Sequence, residues 1–235
     1  MKQYFQAVAM IAICSTAASA KDQGPRADEV RQLVSDYATC IVRHSHDQAA
    51  KALLGDSDNL AIKQDFRRLI NGDCLRPDVE EIEFGSDLYR YALADALVNA
   101  EFAKGGPSDF SDRPPLMNHP GPTQAEIDAA VAAAKSDKKR VAIREAYEEQ
   151  RIVPALSQYG ECVVRLDPAD ARLWILAKPG SPEEASRIDT LRPSFAACLK
   201  EGTVAFSKAT LRGTVALNYY QLAHAPVQPI PVNAN

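Results

Sequence analysis

Histidine is scarce in this chain: there are four in 235 residues. None stands in H-E-x-x-H or in any other zinc-protease spacing. The chain also lacks G-x-S-x-G, a phosphate-binding P-loop and the dinucleotide fingerprint G-x-G-x-x-G. These absences remove the motif-borne routes to a hydrolase, a nucleotide-driven enzyme or a dehydrogenase. No catalytic residue, cofactor or metal is nominated. C-x-x-C is missing as well, which takes support from a zinc ribbon or a thioredoxin-type dithiol. Basic residues gather into no run longer than Lys138-Lys139-Arg140, and 27 Lys and Arg against 31 Asp and Glu leave a net charge of −4. An acidic chain without a basic patch is a poor ligand for nucleic acid or an anionic membrane surface.

Long apolar runs are missing too, apart from one short stretch at the start. "MKQYFQAVAMIAICSTAASA" has a charged beginning at Lys2, an apolar run from Phe5 to Cys14, and small residues ending in Ala18-Ser19-Ala20. This is the pattern of a secretory signal peptide, and the run is too short to span a bilayer. Cleavage after Ala20 is expected, which places residues 21–235 in the periplasm or outside the cell. Bulky Ile13 before Cys14 argues against a lipoprotein. With 46% hydrophobic and 25% charged residues, the remainder has an ordinary globular balance.

Four cysteines remain after cleavage: Cys40, Cys74, Cys162 and Cys198. An even number in an exported chain reads as a disulfide framework, and four allow three pairings. The choice among them comes from a repetition. "YATCIVR" (Tyr37–Arg43) returns as "YGECVVR" (Tyr159–Arg165), 122 residues later. Cys74-Leu75 returns as Cys198-Leu199, Phe84 as Phe206 and Arg90 as Arg212, in the same order and nearly the same spacing. We therefore expect an all-α fold of two pseudo-symmetric tandem helical repeats, residues 21–103 and 151–222. Each cysteine pair then falls inside one copy, which selects Cys40–Cys74 and Cys162–Cys198. Loops of 34 and 36 residues closed in this way are worth roughly 3–4 kcal/mol each in the chain-entropy treatment.

Each copy reads as four elements. The first is an amphipathic helix carrying the heptad, with Val30, Leu33, Val34, Tyr37 and Ile41 on one face in copy one. In copy two Pro154 reads as a kink or start, and Gly160 as a weakness. The second is a short helix capped by Asp47 or by Asp167, with Pro168 at the first helical position. The third is a helix ending near the second cysteine. Ile62, Phe66, Leu69 and Ile70 mark it in copy one, and "SPEE" (Ser181–Glu184) opens it in copy two as a capping box, with Pro193 bending or ending it. The fourth is a short extended piece running into a helix, "IEFGS" (Ile82–Ser86) or "VAFS" (Val204–Ser207). The two pieces could pair as a minor two-stranded β element.

Between the copies, Lys104–Pro122 holds five prolines and three glycines and reads as an irregular linker. Phe110, Leu116 and Met117 are its apolar anchors. Thr123 and Glu126 form a capping box that opens a connecting helix over 123–150, with a break expected at Ser136-Asp137. The Pro-rich end, 223–235, reads as a disordered tail.

Candidate site residues are few. His44 and His46 in "RHSHD" stand two apart, so on a helix they point away from each other and suit a solvated helix end. His119 and His224 fall in the linker and the tail, where both are expected to be exposed. The arginines written twice are the better candidates. Arg90 and Arg212 open the fourth helices, and Arg43 and Arg165 close the first ones, where a cation suits the helix dipole. Arg90 and Arg212 are nominated as ligand-binding residues of an anion site between the repeats; against that stands a role in tying the helices together, since a buried Arg needs carboxylates or carbonyls.

"CVVR … PGSPEE … ACL … FSKATLRG" (Cys162 to Gly213) resembles small exported proteins of sphingomonad-type alphaproteobacteria. The resemblance implies a Gram-negative periplasm. It supplies neither an activity nor functional residues. The sequence as a whole points to a non-enzymatic interaction or scaffold module with a periplasmic or cell-envelope protein partner. The alternative is a small-ligand (anion) binder or hydrolase with its site between the two repeats.

Overall fold

A computed structural model of the chain describes residues 25–55, 62, 64–79, 88–116, 123–199 and 207–227. The expected signal peptide, Met117, His119 and the extended pieces Ile82–Ser86 and Val204–Phe206 lie outside the described residues. The described residues form seven α-helices and two 3-10 turns, with no strand among them. In chain order the helices are α1 (Pro25–Leu54), α2 (Leu88–Phe102), α3 (Gln124–Ala133), α4 (Asp137–Leu166), α5 (Pro168–Leu176), α6 (Pro182–Cys198) and α7 (Lys208–His224). The 3-10 turns, Arg67–Leu69 and Gly72–Cys74, lie between α1 and α2.

α2 and α7 pack against each other at the centre. α7 is buried without interruption from Arg212 to Tyr220, and α2 from Leu93 to Val98. A helix covered on every side in this way is a core element, not an amphipathic surface one. α1 lies along α2 and α4 along α7, while α5 bridges α2 and α7 and carries α6 on its other side. The largest side chains closed off from solvent, Trp174, Tyr219, Tyr220 and Phe110, come from α5, α7 and the Pro-rich segment.

Both disulfides are those expected from the repetition, Cys40–Cys74 and Cys162–Cys198, with Cα separations of 5.6 and 5.8 Å. The heptad tyrosines are buried and do the same work. The Tyr37 hydroxyl accepts from the Asn71 amide at 3.3 Å, and the Tyr159 hydroxyl donates to the Phe195 carbonyl at 3.1 Å. Asn71 and Phe195 each stand three residues before the second cysteine of their pair, so each tyrosine reinforces its own disulfide.

Several local expectations change. α1 is two helical stretches joined at a kink, with Ser45 itself non-helical (φ −142°, ψ 41°), so the second helix expected in copy one follows directly on the first and begins just ahead of Asp47. Among the described residues, the third element of copy one is helical at Ile62 and residues 64–65, then gives way to the two 3-10 turns over the stretch expected to carry the helix to Cys74, where Asn71 accepts from the Asp73 amide and caps the second turn. Ile70, counted in the apolar stripe, is 49% exposed. α4 runs through Pro154 and α6 through Pro193 without ending. The bond that Pro193 cannot make belongs to the carbonyl of Asp189; both residues are exposed, so water can take the donor's place. The break at Ser136-Asp137 is present, with Ser136 capping α4. The connecting segment therefore contributes one short helix, α3, and the first half of α4. α7 reaches His224, taking in the first two residues of the expected tail.

The Pro-rich segment docks. Phe110 is fully buried, edge-on to Tyr219 at 5.4 Å. Arg165 donates to the carbonyls of Phe110, Arg113 and Pro114 at 2.7, 3.3 and 2.6 Å, and pairs with Glu161 at 2.8 Å. Arg43, its counterpart in the other heptad, is exposed.

Gly160, a weakness in sequence terms, sits where α4 meets α7. A Cβ there would lie 2.5 Å from Thr214 Cγ2 and 2.9 Å from the Thr214 carbonyl oxygen. Alanine improves helix propensity by about 1 kcal/mol. Overpacking costs about 1–3 kcal/mol, and a backbone carbonyl cannot swing aside. Gly160→Ala is expected to lower the free energy of unfolding by about 1–2 kcal/mol in urea titration; an unchanged or higher midpoint would show that the helices can part.

Candidate functional site

The seam where α1, α2, α6 and α7 converge is polar at its base. Arg212, at the start of the second turn of α7, is 5% exposed and meets Glu184, 3% exposed, in the first turn of α6. The Arg212 Nε donates to Asp95 Oδ2 at 2.5 Å and Nη2 to Asp95 Oδ1 at 3.3 Å, from the middle of α2. Nη1 donates to Glu184 Oε1 at 3.1 Å and to the Trp174 carbonyl at 3.2 Å, and Nη2 donates to the Ile175 carbonyl at 2.5 Å. Those two carbonyls belong to the last turn of α5, whose acceptors have no partner within their own helix. The negative end of that helix also favours a cation there.

Glu184 extends the network to α1. Its carboxylate accepts two bonds from Arg31, both at 2.7 Å, and Arg31 also pairs with Asp28 at 2.6 Å. The Gly180 amide donates to Glu184 Oε2 at 2.7 Å. Asn99 completes the other end, donating to Asp95 Oδ1 at 3.1 Å and to the Ile175 carbonyl at 3.1 Å. Burial alone would raise the Glu184 carboxyl, but the bonds from Arg31 and Gly180 and the charges of Arg31 and Arg212 outweigh it and hold it below the ordinary value of 4.5.

Above this floor lies a concavity of about 340 Å³, at the lower end of the roughly 300–1,000 Å³ of small-molecule sites. Val30, Leu33 and Val34 of α1, Leu88, Tyr91 and Ala92 of α2, Pro179, and Ala209 of α7 form its walls. Arg31, Asp95 and Arg212 line its base, with Ser35 and Gly213.

The nominated arginines part company here. Arg212 lines the pocket. Arg90 is also buried and is not among the residues that line the pocket. All five N–H groups of Arg212 are engaged by protein acceptors, which leaves none for an anion. Among the described residues no histidine lines the pocket, and its Ser35 has no imidazole base among them.

The histidines sit elsewhere. His46 Nε2 is 3.0 Å from Glu101 Oε1, and His224 Nε2 is 3.0 Å from Glu101 Oε2. His224 therefore ties α7 to α2, not a free tail. His44 turns the other way, toward the Cys40–Cys74 bridge.

The chain matches no protein-family model, no curated protein and no solved structure.

Two outcomes follow from the network. Arg212→Ala is expected to lower unfolding free energy by about 3–5 kcal/mol, because Asp95 and Glu184 are left buried with less compensation. Arg212→Lys should recover little of this, since an ammonium has three donors for five acceptors; full stability of either variant in denaturant titration would place Arg212 outside the structural role. Glu184 also carries a pH signature. A carboxyl held low when folded stabilises above its unfolded value, and that contribution is lost as pH falls from about 4.5 through the folded value. The wild-type melting temperature should drop over that range, and Glu184→Gln should flatten that part of the curve.

Proposed function

We propose that the protein is an exported, non-enzymatic binding module, built by duplication of one helical unit, that holds a small apolar or amphipathic ligand at the seam between its copies. The observation that carries this is the pairing of an apolar pocket with a polar base whose groups are spent on one another. Such a site can hold a molecule. Among the described residues that line it, both guanidinium groups are already paired with carboxylates and no histidine stands beside Ser35 to activate it. That argues against the anion-binding and hydrolase readings.

Duplication is supported by the internal disulfide of each unit, by the tyrosine bond three residues before the second cysteine, and by the pairing of α2 with α7. Both of those helices begin with the repeated arginine in or near their first turn. Export is supported by the two disulfides, which persist in oxidising compartments, and no helix among the described residues is long and apolar enough to cross a membrane. A small ligand is preferred to a protein partner as occupant because the site is a pocket of small-molecule dimensions, not an extended groove.

Titration with the apolar fluorophore N-phenyl-1-naphthylamine tests the reading. The disulfide-bonded protein should bind one probe per chain with saturation. Ala92→Trp and Ala209→Trp, which place an indole into the void, should each abolish that binding while leaving the circular dichroism unchanged. Absent saturation, or unaltered binding in both folded variants, would overturn the proposal.

A further inference from the structure

The Cys40–Cys74 bridge has a neighbour that the other bridge lacks. His44 Nδ1 lies 3.6 Å from Cys40 Sγ and 3.9 Å from Cys74 Sγ. The three atoms fall within 4.8 Å of one another. Four residues beyond Cys162 stands Leu166, so the second bridge has no imidazole in that place. We propose that Cys40, His44 and Cys74 form a zinc site that is closed by the disulfide and opened by a dithiol reductant.

The geometry suits the ion. Zinc takes sulfur at about 2.3 Å and imidazole nitrogen at about 2.0–2.1 Å in a tetrahedron, which sets the sulfur-to-nitrogen edge near 3.6 Å. His44 already stands at that edge from both sulfurs. Only the sulfurs must part, to about 3.8 Å. His44 Nδ1 is 2.8 Å from the Cys40 carbonyl and would exchange that contact for the metal, with its proton moved to Nε2. His44 is exposed and Cys40 and Cys74 are half-buried, so a water has access to the fourth position.

Opening the bridge does not release Cys74. The segment that carries it is held at Leu69 and at Asn71 by groups other than the disulfide. Tyr37 accepts from the Asn71 amide, Tyr89 donates to the Leu69 carbonyl, and Leu69 itself is fully buried. The two 3-10 turns around these anchors can give by the small amount the sulfurs need. Cys198, in contrast, is 7% exposed and fixed at the end of α6.

The chemistry balances. A dithiol attacks the bridge and passes through a mixed disulfide. It leaves as a cyclic disulfide, having given two electrons and two protons to the Cys40 and Cys74 sulfurs. Zinc then binds both as thiolates, and their two protons go to solvent.

The test uses the full chain treated with limiting dithiothreitol. Differential alkylation and peptide mapping should show Cys40 and Cys74 opening before Cys162 and Cys198, with helical circular dichroism retained. After anaerobic removal of the reductant, one Co2+ per chain should bind with a thiolate-to-metal charge-transfer band, and one Zn2+ should displace it. His44→Ala, at an exposed position, should weaken Zn2+ binding by about tenfold or more. Unfolding on opening of the first bridge would overturn the proposal. So would the lack of a charge-transfer band, or equal zinc affinity in His44→Ala.

Discussion

A buried guanidinium is tolerated only when its charge is paired and each N–H finds an acceptor. Arg212 meets both conditions by drawing its acceptors from three other helices: Asp95 from α2, Glu184 from α6, and the carbonyls of Trp174 and Ile175 from α5. None of these is supplied by α7 itself. The position of α7 in the core is therefore conditional on α2, α5 and α6 all being in place. Arg31 adds α1 through Glu184. Hydrophobic burial supplies the driving force for collapse, but it is indifferent to small shifts of register. Five hydrogen bonds to one planar group are not, and they specify which arrangement of the helices is reached.

The turn before α6 is shaped by the same requirement. Pro179 and Gly180 occupy the centre of a tight turn closed by the Ser181 amide donating to the Lys178 carbonyl at 3.1 Å. Gly180 has φ +76°, a conformation in which a side chain is strained, and a Cβ there would also run into Asp28. That close approach lets the Gly180 amide reach Glu184 and lets Gln32 of α1 donate to the Pro179 carbonyl at 2.9 Å. The carboxylate is thus aimed by the turn that precedes its helix, and the turn is seated on the helix that supplies Arg31.

What could be read from the sequence was local or repeated. The heptads, the pairing of the cysteines and the caps at Thr123, Asp167 and Ser181 each rest on a few neighbouring residues, and each is present. Glu184 shows where such reasoning stops. As the fourth residue of "SPEE" it had a sufficient local explanation as half of a capping box. Its side chain instead bonds Gly180, Arg31 and Arg212, two of which lie far away in sequence. Arg212 was visible as a repeated residue, but its partners carried no mark of their own. The expected run of helix on to Cys74 in copy one gave way to 3-10 turns for a related reason. Four apolar residues at helical spacing described a stripe, while "NGD" at 71–73 favoured capping and turning.

The pocket is a consequence of how the seam is satisfied. Its walls come from the early turns of α1, α2 and α7, where side chains would normally extend inward to close a gap. Here the long ones cannot. Arg31 and Arg212 are held at the base by their carboxylates, and swinging either upward would break bonds that no water in an apolar cavity would replace. The remaining inward positions are small: Ser35, Ala92, Ala209 and Gly213. Gly213 must stay small, since a Cβ there would meet the Tyr91 side chain across the α2–α7 contact. Polar groups too constrained to fill the space and neighbours too small to reach it leave a concavity that tighter packing cannot remove without unmaking the network beneath. A void kept open by the interactions that hold the fold together is available to a ligand at little further cost in reorganisation, which is the physical basis for placing binding there.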